Sequence, residues 1–298
     1  MIRTVHMSGE RRLTNRQQFH AAGPETRISG RLEMETRLRR ALELGQLELH
    51  YQPQASLSDG AMNAVEALLR WNDPVLGCVP PEQLIQLAEE TGLIHAIGAW
   101  VLETAAAQAR DWRDAGLHPV RMCVNVSATQ LNAGLVETVS RVLQRTGLPA
   151  SAFELELTEG VMLARDRETG AAIQALRALG VEFAIDDFGT GHATFEYVKL
   201  LPVSTLKLAG SFVRGVCDKA DDVAIVGACI SLARTLGLRV VAEGVETAEQ
   251  CERLRKLGCH DYQGYYIARP MPATALEKLL TDKPRAVRSA RAQLALAK

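Results

Sequence analysis

The chain has 298 residues, 47% hydrophobic and 23% charged, with 34 Lys plus Arg against 35 Asp plus Glu. That length fits two ordinary domains or one large α/β barrel with an extensive core, and a formal net charge of -1 excludes a broad basic field for a DNA or RNA backbone. Any anionic ligand must be held by local charges or by metal ions.

Residues 1–30 are polar and Arg-rich without the apolar core of a signal peptide, and are expected to be a flexible lead or linker stub. A helical pattern runs from Leu32 to Leu44. Leu47–Gln54 and Met62–Trp71 read as strands, and Asp59-Gly60 between them is a hairpin signal, so this first pair should be antiparallel. Six more strands are expected at Arg121–Val126, Ala152–Thr158, Val181–Asp186, Thr205–Leu208, Leu238–Ala242 and Tyr262–Ile267. Helical periodicity fills the intervals: Glu82–Ala115 in two pieces, Ala128–Thr146, Arg165–Leu179, Ala193–Leu200, Phe212–Leu236 and Ala248–Leu257. Gly147, Gly180, Gly237 and Gly258 stand where glycines stop helices. The alternation predicts an α/β protein, a (β/α)8 barrel whose first strand is antiparallel, over residues 31–280. Residues 281–298 form a basic C-terminal tail. Six cysteines without a CxxC pair read as reduced thiols of a cytoplasmic protein. The uncharged stretch Val223–Ala233 is too short to span a bilayer, so no membrane segment is expected.

Polar residues recur at or near the strands: Glu66, Asn125, Glu156, Asp186 with Asp187, and Glu243. In a parallel barrel the C-terminal strand ends meet at one face, so these groups should converge. Crowded buried carboxylates are costly unless paired or bound to metal. A donor set of carboxylates and one amide, without His or Cys, favours Mg²⁺ or Mn²⁺ over Zn²⁺. Two such ions suit in-line phosphodiester hydrolysis. Arg70, on the strand face of Glu66, could grip a phosphate; Lys207 could hold water or stabilise phosphoryl charge; Gln263 could orient by hydrogen bonding. Singly, Glu66 reads as a salt-bridged strand residue, Lys207 as a solvated lysine and Asp186-Asp187 as a helix cap. Their joint placement at successive strand ends carries the functional weight.

Ordered motifs extend this pattern: Tyr51-Gln52-Pro53, Glu66-Ala67-Leu68-Leu69-Arg70-Trp71, Leu87-Ala88-Glu89-Glu90-Thr91-Gly92, Asn125-Val126-Ser127, Glu156-Leu157-Thr158-Glu159, Asp186-Asp187-Phe188-Gly189-Thr190-Gly191, Leu206-Lys207, Glu243-Gly244-Val245-Glu246 and Gln263-Gly264-Tyr265. Over about Leu32 to Met271 the chain resembles the EAL domain family of cyclic di-GMP phosphodiesterases. The resemblance implies a TIM-like barrel with an antiparallel first strand, and two-metal hydrolysis of cyclic di-GMP to linear pGpG. It implies that Glu66, Asn125, Glu156 and Asp186 are metal ligands, with Asp187 serving a second ion and Glu243 supporting it. It implies that Lys207 is the catalytic lysine, Gln52 and Arg70 contact the ligand, Gln263 lies near the site, and Glu159 braces the loop after Asp187. A homodimer is implied as well.

Two positions depart from the family pattern. An aspartate expected two residues after the lysine is Ala209, and the loop reads Gly191-His192-Ala193-Thr194 where the family has Gly-Tyr-Ser-Ser. A carboxylate at position 209 would share the strand face of Lys207. These departures keep a rival expectation open, a cyclic di-GMP receptor of weak or absent turnover, beside a third, an enzyme acting on another phosphoester.

Overall fold

The computed structural model describes residues 24–117, 121–158, 167–189, 198 and 201–281. Its strands are β1 (Leu47–Ser56), β2 (Met62–Asp73), β3 (Gly77–Val79), β4 (Arg121–Val126), β5 (Phe153–Thr158), β6 (Glu182–Phe188), β7 (Thr205–Leu208), β8 (Arg239–Ala242) and β9 (Asp261–Gln263). Eight of them close a barrel in the order β1-β9-β8-β7-β6-β5-β4-β2, with β1 returning to β2. β1 is antiparallel to both neighbours, and the remaining pairings round the ring are parallel. β3 pairs only with the far end of β2. The predicted hairpin is present: Gly60 has φ 76, and the Asp59 carboxylate accepts the Ala61 amide at 3.0 Å.

Helices α1 (Pro24–Glu43), α2 (Pro81–Glu90), α3 (Ile94–Asp114), α4 (Ala133–Thr146), α5 (Arg167–Ala178), α6 (Gly210–Arg214), α7 (Ala220–Thr235), α8 (Ala248–Leu257) and α9 (Ala273–Thr281) surround it. Their ends follow local chemistry. The Asn132 side chain accepts the Gly134 and Leu135 amides ahead of α4, and a reciprocal Thr247–Gln250 capping box opens α8. Among the described residues no helix is long and apolar enough to cross a membrane.

Period-two alternation sorts each strand. Val65, Val124, Leu155 and Phe183 join one apolar cluster, and Ile185, Leu206, Leu208 and Val240 join another with residues of α7 and α8. The intervening positions face the lumen. A barrel interior is ordinarily filled by branched apolar side chains. Here the buried polar residues include Gln52, Gln54, Glu66, Glu154, Glu156, Thr205, Lys207, Asp261 and Gln263. The fold therefore stakes its centre on hydrogen bonds and ion pairs.

Several elements differ from expectation, among them the unexpected β3 and the helix expected over Ala128–Thr146, which begins at Ala133 after a separate 3-10 turn. The helix expected from Leu32 begins at Pro24, supported by the i,i+4 ion pairs Glu33–Arg37 and Glu35–Arg39. The helix expected over Phe212–Leu236 is broken into α6 and α7 around Gly215, whose Cα faces the Asp222 carboxylate so closely that a Cβ would lie 1.8 Å from it. The last strand stops at Gln263, and α9 is an addition. The helix expected over residues 193–200 lies outside the described residues except at Val198.

The end of β9 has a steric cause. A Cβ on Gly264 would stand 2.1 Å from Val245 O and 2.3 Å from Val245 N. Both Val245 groups are engaged nearby, its amide with Gln263 O and its carbonyl with the Tyr266 amide, each at 3.0 Å. Gly264→Ala is therefore expected to destabilise the fold by about 3 kcal/mol, because backbone rather than a side chain must yield. Denaturant titration would show it; a loss well under 1 kcal/mol would mean that the two strand ends separate freely.

Candidate active site

β7 contributes four residues, all buried. Leu206 and Leu208 pack outward, so Thr205 and Lys207 must face the lumen. The Lys207 Nζ lies 2.6 Å from Glu156 Oε2, 2.8 Å from Glu243 Oε1, 2.9 Å from Asp186 Oδ1 and 3.6 Å from Glu66 Oε2. Carboxylates from β2, β5 and β6 and from the residue after β8 thus meet one ammonium, as the strand-end pattern predicts. Asn125, opposite Glu156 in register on β4, donates from Nδ2 to Glu66 Oε1 at 2.6 Å.

Four carboxylates around one cation, shielded from solvent, is an unbalanced arrangement. Burial, then Glu66, pushes the Glu156 carboxyl well above the ordinary carboxylate range, against the pull of Lys207. Burial pushes Glu243 up to about 8, with Asp186 and Glu66 adding repulsion and Lys207 opposing. Burial disfavours the Lys207 ammonium, yet Asp186, Glu156, Glu243 and Glu66 outweigh it and raise the pKa. Lys207 is thus a fixed positive charge and a poor proton acceptor at neutral pH.

A row of amides completes the wall. Gln263 Nε2 donates to Glu66 Oε2 at 2.6 Å and to Gln52 Oε1 at 3.0 Å. Gln52 Nε2 in turn donates to Ala268 O at 3.1 Å. Beneath this layer, Gln54 Nε2 donates to Gln263 Oε1 at 2.9 Å, while Glu154 accepts from Thr205 Oγ1 at 2.7 Å and from Cys123 Sγ at 3.4 Å. Gln54, Cys123, Glu154 and Thr205 are absent from the residues predicted by sequence. Each stands two positions from a predicted one, namely Gln52, Asn125, Glu156 and Lys207. Period-two alternation extended one step down each strand finds them.

Not every predicted residue joins the cluster. Asp187 is exposed and has φ 52, a left-handed conformation uncommon for a non-glycine residue, at the end of β6. Arg70 is half-buried on β2, four residues past Glu66, and donates from Nη1 to Leu69 O at 2.9 Å. Ala209 is buried and caps α6 without a side-chain hydrogen bond. Glu159 and His192 lie outside the described residues.

The donors fit divalent metal on structural grounds. Glu156 Oε1 is buried and accepts no hydrogen bond among the described residues, whereas Asp186 Oδ1 is met by the Lys207 ammonium at 2.9 Å. Buried acceptors left open this way carry a desolvation cost that a coordinated cation removes. Hard oxygens in this number match Mg²⁺ or Mn²⁺ chemistry. A second group, Cys123, Glu154 and Glu156, has ligand atoms within 4.8 Å of one another. There the Glu154 oxygens are already occupied by the thiol and the Thr205 hydroxyl.

Comparison with known proteins places this geometry. A family model described as the EAL domain matches residues 35–270. MucR of Pseudomonas aeruginosa, named a bifunctional diguanylate cyclase/cyclic di-GMP phosphodiesterase, is 48% identical over 241 residues, 80% of this chain and 35% of that protein. NbdA of the same species, named a cyclic di-GMP phosphodiesterase, is 41% identical over 267 residues, 89% of this chain and 34% of that protein. The solved PaMucR phosphodiesterase in complex with c-di-GMP superposes with a TM-score of 0.78 at 46% identity, covering 82% of this chain and 99% of that one. The chain spans about a third of the length of the curated relatives it matches. With the family model matching residues 35–270, a range that holds every strand of the barrel, the chain belongs to the EAL domain family.

Proposed function

We propose that this chain is a metal-dependent phosphodiesterase that hydrolyses cyclic di-GMP to linear pGpG. The observation that carries it is the meeting of Glu66, Glu156, Asp186 and Glu243 around Lys207, with Glu156 Oε1 buried and accepting no hydrogen bond among the described residues. The names of MucR and NbdA and the c-di-GMP bound by PaMucR support the choice of substrate.

Glu66, Asn125, Glu156, Asp186, Asp187 and Glu243 would hold two Mg²⁺ or Mn²⁺ ions. When bound, such ions lower the pKa of water and offset charge on the phosphoryl oxygens. The protein's own residues do the rest. Lys207, held charged by its neighbours, stabilises the negative charge that grows as water adds to phosphorus and the P–O3′ bond breaks. Gln52 and Gln263, fixed by their mutual hydrogen bond, and Arg70, whose fork suits a phosphate, orient the nucleotide. Glu159 would brace the loop beyond Asp187.

The test is formation of pGpG by purified protein with Mn²⁺, compared with Glu66→Ala. Metal-dependent product that disappears in the variant is expected. Cyclic di-GMP bound but returned intact with metal present would make the chain a receptor. The same proposal includes a homodimer, read by sedimentation, and a cytoplasmic setting, in keeping with six unpaired cysteines.

Ala209 offers a second test. Ala209→Asp would place a carboxylate two residues beyond Lys207, at the buried position that opens α6. Turnover with Mn²⁺ is expected to rise several-fold. An unchanged or lower rate would remove Ala209 as the limiting position.

A further inference from the structure

Glu66 Oε2 receives the Gln263 amide nitrogen, and an amide can equally turn its oxygen that way. Gln263 has two acceptors on one side, Glu66 Oε2 and Gln52 Oε1. A reversed amide would set oxygen against a carboxylate and another amide oxygen. What holds the productive direction lies below. Gln54, 1% exposed and opposite Gln263 in register, donates from Nε2 to Gln263 Oε1.

Gln54 is itself oriented. Its Nε2 also faces Cys123 Sγ at 3.9 Å, and Cys123 gives its own hydrogen to Glu154 Oε1 at 3.4 Å. The sulfur is thereby left as an acceptor. Thr205 donates to the other Glu154 oxygen, and the Arg121 guanidinium stands 3.5 Å from it. Glu154 accepts, so Cys123 donates; Cys123 also accepts, so Gln54 presents nitrogen; Gln263 then presents oxygen downward and nitrogen upward. The cost is visible: among the described residues Gln54 Oε1 is buried without a partner, a loss a free amide would avoid by turning over.

We propose that Gln54 is a positioning residue that sets the direction of the Gln263 amide, and through it the orientation of Glu66 toward a divalent cation. The inference rests on the metal-binding role of Glu66 proposed above. Outer partners of metal ligands typically contribute about 10- to 100-fold in affinity, and Gln54 acts one bond further out.

The test is a double-substitution cycle on Mn²⁺ affinity, read by titration of free Mn²⁺ without nucleotide. Gln54→Leu is expected to weaken Mn²⁺ about tenfold in the native background and not at all when Gln263 is already Leu. Equal losses in both backgrounds, or none in either, would overturn the inference. Gln54→Met, which keeps the unbranched chain, serves if the leucine variant does not fold, and circular dichroism melting of each metal-free variant reports packing separately. Glu66→Ala separates the two levels. If it binds Mn²⁺ like the native protein, the metal assignment fails and takes this inference with it. If it binds weakly while Gln54→Leu binds normally, only the role of Gln54 fails.

Discussion

Lys207→Met is expected to lower turnover of cyclic di-GMP by about 10²- to 10³-fold, the usual loss when one preorganised charge or donor leaves a transition state. Methionine keeps the unbranched stem, and Lys207 is 1% exposed, so the change removes charge with little change of volume. The ammonium is also the one cation in contact with Glu66, Glu156, Asp186 and Glu243 among the described residues. Removing one partner of a buried ion pair ordinarily costs about 3 to 5 kcal/mol. Here the upward pKa shifts of Glu156 and Glu243 let protons replace part of the missing charge.

Those two consequences part when divalent metal is added. A cation that binds the folded site and not the unfolded chain stabilises by linkage, and a site stripped of its ammonium gains more from it. Mn²⁺ should therefore raise the melting temperature of Lys207→Met more than that of the native protein, while turnover stays low. Equal thermal shifts in the two proteins would mean that the ammonium and the metal do not compete for the same carboxylates. Native turnover in the variant would remove Lys207 from the chemistry.

The upper layer of the site is legible in the sequence because each member interrupts or ends an apolar strand. Glu66, Glu156, Asp186 and Lys207 are polar residues in apolar company, and apolar strands with a polar end have few readings in a βα repeat. The lower layer emerges only when period-two alternation is carried one step further along each strand. Glu154 and Thr205 sit at strand starts, where polar residues ordinarily mean solvent, and only closure of the ring turns them inward. β3 is three residues long, too short for any period to show. α9 follows Pro270 and Pro272, which read as terminators, although Pro272 O accepts the Ala275 and Leu276 amides of its first turn. The run Tyr265-Tyr266-Ile267 has strand propensity, yet the close approach of Gly264 and Val245 backbones ends β9 first. Such long-range approaches leave no local trace.

The metal-free protein is expected to lose stability as the pH rises from about 5 to about 8. In the unfolded chain a glutamate ionises near its ordinary value of 4.5, whereas folded Glu243 holds its proton up to about 8 and folded Glu156 is shifted the same way. Across that window the folded state binds more protons than the unfolded state. Stability is then fully present below the unfolded pKa and falls by up to about 1.4 kcal/mol per pH unit for each such group, levelling off above the folded pKa. Carboxylates of the ordinary kind behave oppositely: Asp73, lowered by the Leu76 and Val75 amides and Arg37 despite burial, contributes stability lost only in acid. Comparison with Glu243→Gln isolates the effect, because glutamine has no proton to retain and should flatten part of the slope. Mn²⁺ should invert the trend, since ligation requires deprotonated carboxylates and grows stronger with pH. Urea midpoints at constant ionic strength, with EDTA and with Mn²⁺, provide the measurement. A metal-free midpoint that climbs between pH 5 and 8, with Glu243→Gln tracking the native protein, would show that Glu243 is ionised in the fold. The pull of Lys207 would then outweigh burial and like-charge repulsion at Glu243, and the cluster would bear that negative charge without a divalent cation to offset it.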